Sequence, residues 1–294
     1  MRRKAPVPEY EPRVMRKFSP PGYEFRSCEI CGKRFVYDWV GVAWTPSREI
    51  CPSCYREARD KVNRLPELGE AEALEALEVA LSRITTLYSL TEKVFKKGPG
   101  REPGRLERFV RLLVRYYCRK GFRRVHDRSF FGELLAFRQV CATVGHHAAE
   151  LVTLGKPTAP CDIVFRLPQR KPRLVEVKTA EARRNRWRFL FPPWRDYSVG
   201  ADYLVLVGLP ERTRLLAARP EAFEAGAALF VIPSEALAPQ PRDLVIPAGG
   251  EAAARCPYTA FRGKFGLLYV DRAKRRGLPE WLEIAEVMPE KPAV

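Results

Sequence analysis

Two short apolar stretches carry the residues best able to do chemistry. Cys161-Asp162-Ile163-Val164-Phe165 is followed, after a turn, by Leu174-Val175-Glu176-Val177-Lys178. Strand side chains repeat every two residues, so Glu176 and Lys178 share a face about 6.6 Å apart. The intervening RLPQRKPR at 166–173, rich in proline and charge, predicts a hairpin turn. Pairing of the two strands then sets Asp162 beside Glu176. Two carboxylates that close suit a hard divalent cation, which takes oxygen ligands. A lysine at the rim can orient or deprotonate a water, or steady a phosphate. The set points to metal-dependent hydrolysis of phosphodiesters. Charges that merely end two strands produce the same letters, so the flanking elements must decide between the two readings.

Upstream, residues 130–145 predict a helix, with Phe130, Leu134, Phe137, Val140, Cys141 and Val144 at helical spacing and Glu133 beside that stripe. Residues 146–156 predict a short strand and a loop. The two acid-bearing strands follow, then a linking segment, a strongly apolar strand at 203–207, a helix-like segment and a strand at 229–233. This order, with Glu133, Asp162, Glu176 and Lys178 so placed, resembles the PD-(D/E)XK nuclease superfamily over roughly residues 105–235. The EVKTA segment, the ADYLVLV strand and FVIPSEAL look most like its intron-associated and resolvase-like branch. The resemblance implies a restriction-endonuclease-like fold in which Asp162, Glu176 and the main-chain carbonyl of Val177 bind Mg²⁺, or Mn²⁺ in its place. Lys178 then acts on the attacking water, and Glu133 completes the site. Cys161 stands where the family has proline, which leaves the ligands unchanged. Glu150, on the neighbouring strand, is the alternative to Glu133.

A second chemical signal lies near the N-terminus. Cys28-Glu-Ile-Cys31 and Cys51-Pro-Ser-Cys54 each place two thiolates on one tight turn, and together they supply a tetrahedral S₄ site for Zn²⁺. Gly32 permits the backbone bend that such a knuckle needs. With all four positions filled by sulfur, no position is left for substrate, so the metal is expected to be structural. The segment 24–60 resembles a zinc ribbon. Cys118, Cys141, Cys161 and Cys256 sit in apolar surroundings and read as small buried hydrophobes.

The chain sets 52 Lys and Arg against 35 Asp and Glu, a formal charge of +17 with a sequence pI near 9.7, which favours a polyanionic partner. Two clusters could meet it. Arg105, Arg108, Arg111, Arg115 and Arg119 recur along one face of a helix expected at 105–120, opposite an apolar face. The bland reading is a face paired with acids elsewhere. Arg183, Arg184, Arg186 and Arg188 follow the Lys178 strand directly, where a scissile strand must be held. Trp187 and Phe189, among them, read as core plugs ahead of base-stacking groups. Between ribbon and nuclease, Leu74, Leu77, Leu81, Ile84 and Tyr88 predict one helix over 71–97, packed against the core rather than forming a dimer coil.

The expected organisation is a basic extended arm (1–23), a zinc ribbon (24–60), a helical connector (61–104) and an α/β nuclease domain (105–294) with a mixed central sheet flanked by helices. The expected activity is Mg²⁺-dependent endonucleolytic hydrolysis of DNA, with RNA left open as a substrate. A resolvase or nickase acting on branched DNA, and an inert nucleic-acid-binding or assembly protein of the same fold, are the rival readings. One site cuts one strand, so a homodimer is compatible with double-strand cleavage, and the ribbon can serve a DNA or a protein contact. No apolar run is long enough to cross a bilayer and the first residues lack a hydrophobic signal region, so no membrane partner and a cytoplasmic, nucleoid-associated location are expected.

Overall fold

Seven residues from Tyr203 to Leu209 offer solvent no polar side chain, and all seven are buried as the centre of a sheet. Residues 23–38, 49–65, 67–95, 103–122, 124–154, 161–192, 200–211, 219–237 and 241–270 are described, in a computed structural model. The expected N-terminal arm lies outside them. In chain order the elements are β1 (Tyr23–Ser27), β2 (Arg34–Asp38), α1 (Pro52–Asn63), α2 (Glu70–Val79), α3 (Leu87–Val94), α4 (Pro103–Lys120) and α5 (Val125–Val144). They continue with β3 (Ala149–Leu151), β4 (Ile163–Phe165), β5 (Arg173–Glu181), β6 (Arg186–Leu190), β7 (Tyr203–Leu209), α6 (Pro220–Gly226), β8 (Ala228–Pro233), β9 (Asp243–Pro247) and α7 (Gly250–Ala254).

The main sheet has five strands in the order β3-β4-β5-β7-β8. Its one parallel pair is β5 with β7, and the others are antiparallel. The result is a mixed α/β sheet flanked by helices. α5 lies on the face of Thr179: the Thr179 hydroxyl donates to the Ser129 carbonyl at 3.3 Å, and Gly132 faces Thr179 so closely that a methyl group has no room. On the opposite face, a β-carbon at Gly208 would stand 2.5 Å from the Trp187 ring. Gly208 is in register with Ala180, two residues beyond Lys178. The two-stranded ribbon of β6 and β9 therefore covers part of the face that carries Glu176 and Lys178. Trp187 also donates its Nε1–H to the Leu209 carbonyl at 2.8 Å, and both Trp187 and Phe189 are buried, so they are core plugs.

Several elements differ from the sequence expectation. The helix expected over 71–97 is two helices, α2 and α3. A π-helical turn at Ala80–Ile84 ends the first, Thr85 is extended (φ −147°, ψ 168°), and the Thr86 hydroxyl caps the second by accepting from Ser89 N at 3.2 Å. A β-branched pair with a hydroxyl able to cap favours this break over continued helix. Leu74, Leu77 and Leu81 do enter the main core, as expected of a packed connector. α1 runs past residue 60, the expected end of the ribbon, to Asn63; it is begun by Pro52 in its first turn and held by the burial of Ala58 and Val62. The apolar run FGLLYV at 265–270, whose composition alone would suit a strand, is a 3₁₀ segment, Phe265–Tyr269, that plugs the core with Phe265, Leu267 and Leu268. The buried Tyr203 hydroxyl, donating to the Leu267 carbonyl at 2.9 Å, anchors it.

One buried carboxylate joins two of these helices. Asp127, 5% exposed, accepts from the Leu87 amide at 2.8 Å and so satisfies one of the free N–H groups at the start of α3. Burial holds its carboxyl above the ordinary carboxylate range, against the Leu87 hydrogen bond and the nearby Arg124 and His126 charges. Its contribution to stability is therefore fully present below the unfolded-state pKa and is lost as pH rises through the higher folded-state value. Asp127→Ala, which leaves the Leu87 amide unpaired, is expected to cost about 1–3 kcal/mol in denaturant unfolding. Asp127→Asn keeps an acceptor and cannot ionise, so its stability relative to the wild type should improve as pH climbs across that window. A constant difference between the two proteins from pH 3 to 7 would rule this account out.

Candidate active site and metal centre

β4 and β5 form the expected hairpin, with Ile163 opposite Val175. Just before β4, Asp162 lies alongside Glu176. Its N–H donates to the carbonyl before Glu176 (Val175, 3.0 Å), and its Oδ2 accepts from the amide after it (Val177, 2.7 Å). The main-chain contact of Val177 with this site runs through its N–H. Glu176 is 2% exposed, and Lys178 Nζ stands 2.5 Å from its Oε1. That pairing follows from the two-residue period of the strand, which puts both on one face.

Glu133, one helical turn or so from the buried Phe130 and Phe137 on α5, reaches the same place from the helix. Its Oε2 accepts from the Thr153 hydroxyl at 2.9 Å, and Thr153 belongs to the 3₁₀ turn Val152–Leu154 that follows β3. The next residue of that turn is tied down by the Tyr88 hydroxyl, which donates to the Leu154 carbonyl at 2.7 Å. Burial first, and then the negative charges of Asp162 and Glu176, raise Glu133 to about 8, while the Thr153 hydrogen bond and Lys178 pull the other way. The four residues expected to act together therefore share one electrostatic neighbourhood.

Glu150 does not belong to it. It is exposed on β3, in register with Val164 and so with Leu174, one same-face row away from Asp162 and Glu176. Between the two candidates, Glu133 is the neighbour. Thr153 and Tyr88 escape sequence reasoning because neither lies in a strand or beside a motif; only the fold brings their hydroxyls here.

The four cysteines converge most tightly. Their sulfur atoms all lie within 4.8 Å of one another, a group that can hold a metal ion such as zinc, and among the described residues no other cluster of acids, thiols or imidazoles gathers so closely. The carboxylates of Glu133, Asp162 and Glu176 are more loosely grouped. Cys28 follows β1, and the turn closes through Gly32 (φ +72°), whose amide donates to the Cys28 carbonyl at 2.8 Å. Cys51 caps α1 and Cys54 lies in its first turn, so the second pair sits at a helix start rather than on a second knuckle. A bond from the Glu29 amide to the Glu49 carbonyl, 3.0 Å, ties the two pairs together. Ile50 is fully buried among the thiols, with Phe35, Tyr55 and Val79 packed around them. Burial raises the Cys28 thiol, but backbone hydrogen bonds at Cys51, Cys31 and Ile30 outweigh it and bring it to about 6; Cys54 is pushed up by burial and by its sulfur neighbours.

The arginine face of α4 is largely occupied within the molecule. Arg105 lies over the Phe95 ring at 5.7 Å, Arg108 donates to the Leu68 carbonyl, Arg115 pairs with Glu70, and Arg111 lies 3.4 Å from Glu107. The expectation of an outward phosphate-binding face is corrected here: α2 packs on α4 and supplies Glu70, leaving Arg111 and Arg119 exposed. Arg183, Arg184, Arg186 and Arg188 are exposed, with Arg188 2.6 Å from Asp243.

No helix among the described residues is long and apolar enough to cross a membrane. No protein-family model, no curated protein and no solved structure matches the chain. A functional reading therefore rests on the residues themselves.

Proposed function

We propose that the chain is a metal-dependent endonuclease of the PD-(D/E)XK kind, acting on DNA, with a structural zinc ion at the four cysteines. The observation that carries this reading is the crowding of Glu133, Asp162 and Glu176 with Lys178 at the β4–β5 hairpin. An all-oxygen donor set suits Mg²⁺. Burial first, and then the like charges of Asp162 and Glu176, raise the Glu133 carboxyl, and a bound cation would relieve the second of these. Asp162 and Glu176, with Glu133, would hold that cation, which when bound polarises a phosphate oxygen and acidifies water.

The chain's own groups do the rest. The Val177 amide fixes the Asp162 carboxylate in place through its 2.7 Å bond. Thr153 fixes Glu133 in the same way. Lys178, held near Glu176, has a flexible stem that can carry its ammonium to the attacking water or to the phosphate, where charge grows in the transition state. Supercoiled plasmid incubated with the protein is expected to be nicked or linearised with Mg²⁺ or Mn²⁺ and left intact in EDTA. DNA left uncut with both metals, on linear duplex and four-way junctions alike, would remove the nuclease reading.

A further inference from the structure

We propose that the turn between β5 and β6, with the outer face of the β6–β9 ribbon, is a docking surface for the phosphates of duplex nucleic acid. That the bound duplex is also the cleavage substrate rests on the nuclease reading; the docking itself does not. Arg183, Arg184 and Arg186 are exposed and, unlike Arg111 and Arg115 of α4, form no ion pair among the described residues. Three guanidinium groups on four consecutive residues repel one another, and a turn selected for stability alone would not collect them.

The backbone makes the choice of residue costlier. Arg184 (φ 50°) and Asn185 (φ 62°) are both left-handed, the geometry of a tight hairpin turn that favours Gly, Asn or Asp. Asn185 suits it, whereas at Arg184 the left-handed backbone crowds the β-carbon against the following carbonyl oxygen. The conformation is locked from both sides. Arg183 and Arg186 exchange main-chain bonds of 2.8 and 3.1 Å, and the Ala248 amide donates to the Asn185 carbonyl at 2.9 Å. A charge kept at a strained and over-determined position points to a use outside the fold.

Beyond the turn, strand alternation sorts the ribbon into two faces. Trp187, Phe189, Leu244 and Ile246 face the core, while Arg186, Arg188 and Leu190 face outward opposite Pro247, Val245 and Asp243. Leu190 is 64% and Val245 42% exposed, apolar area suited to sugar and base edges. The nearby acids include Glu181, already paired with Arg128, Asp243, already paired with Arg188, and Glu211, beside Asn185 and Arg262 in a cavity of about 310 Å³ at the foot of the turn. Guanidinium forks match phosphate oxygens in pairs. A two-stranded ribbon is narrow enough to enter the major groove. The ribbon packs over the Gly208 end of the sheet, in register with Ala180 and two residues beyond Lys178 on β5.

The test is fluorescence anisotropy of a labelled duplex DNA in EDTA, across a salt series, with the full chain carrying Arg183→Gln, Arg184→Gly and Arg186→Gln together. Glycine at Arg184 relieves the left-handed strain, so the variant should melt no earlier than the wild type. Its log–log salt slope should nevertheless fall by about 2.7, or about 0.9 for each phosphate that is no longer neutralised. A charge-matched control with Arg64→Gln, Lys93→Gln and Lys171→Gln, three exposed cations away from the ribbon turn, should keep the wild-type slope. An equal fall in both variants, no DNA binding by the wild type, or binding only to anionic phospholipid vesicles would each overturn the proposal. Because no cleavage is read, intact binding with an inert active site would sink the nuclease reading and leave the docking surface standing.

Discussion

Glu176→Gln and Lys178→Ala are each expected to lower metal-dependent DNA cleavage by about 10²-fold or more, the usual loss when a group that stabilises developing charge or handles a proton is removed. Glu176 is the most deeply buried carboxylate of the site and the partner of Lys178 at 2.5 Å. Gln keeps its shape and volume but removes the charge, so lost activity would report lost cation binding rather than a collapsed strand. Lys178→Ala separates differently: metal affinity should persist or tighten in a titration, because the competing ammonium on Glu176 is gone. Glu150→Gln serves as the matched control, since Glu150 is an exposed acid on the adjacent strand outside the cluster. Single-turnover cleavage at saturating metal measures all three. Wild-type rates in both site variants would move the chemistry away from the hairpin.

Loss of the metal at the four thiols should undo the N-terminal unit. Its own core consists of Cys28, Ile50, Cys51 and Cys54 with three partly buried neighbours, too small to fold unaided. Structural zinc sites of this kind supply about 10–16 kcal/mol of apparent binding energy at neutral pH, which is also folding energy. Elemental analysis should find one zinc per chain, and Co²⁺ substitution should give the absorption of a tetrahedral thiolate site. Cys51→Ser removes a thiolate ligand but leaves a residue able to cap α1, where the cysteine itself makes no side-chain cap bond, so any loss reports the metal. Metal content should drop, and backbone amides of β1, β2 and α1 should lose protection from hydrogen exchange. Those of β5 and β7, deep in the other core, should keep theirs. A wild-type chain that takes up neither Zn²⁺ nor Co²⁺ would refute the site.

The hairpin of Asp162 and Glu176 is readable in the letters because a strand's period of two needs no tertiary information. The paired CxxC motifs are readable because covalent spacing alone brings two thiols to one turn. Glu133 is half-readable: its helix is plain from Phe130, Leu134 and Phe137, but its choice over Glu150 depends on where α5 crosses the sheet. Thr153 is invisible, since nothing local marks a hydroxyl that finds its acid twenty residues away in sequence. The arginines of α4 show the limit most clearly. Their spacing describes a face, and what covers that face is decided by Glu70 and Leu68, forty residues or more upstream. The break at Thr85 hides for a related reason, because the heptad-like leucines continue across it while the backbone does not.

β5 carries Glu176 and Lys178 on one stretch of backbone and runs on into Arg183 without an intervening loop, Ala182 still bonded to Leu209 of β7. Lys178 and Arg183 are thus five residues apart on an extended chain, a span of at most about 17 Å. On the proposed nuclease and docking readings, such a rod of fixed length would separate grip from blade and act as a ruler. At about 3.4 Å per base pair it spans some five steps of a duplex. Whatever the surrounding loops do, that measure is set by peptide geometry alone.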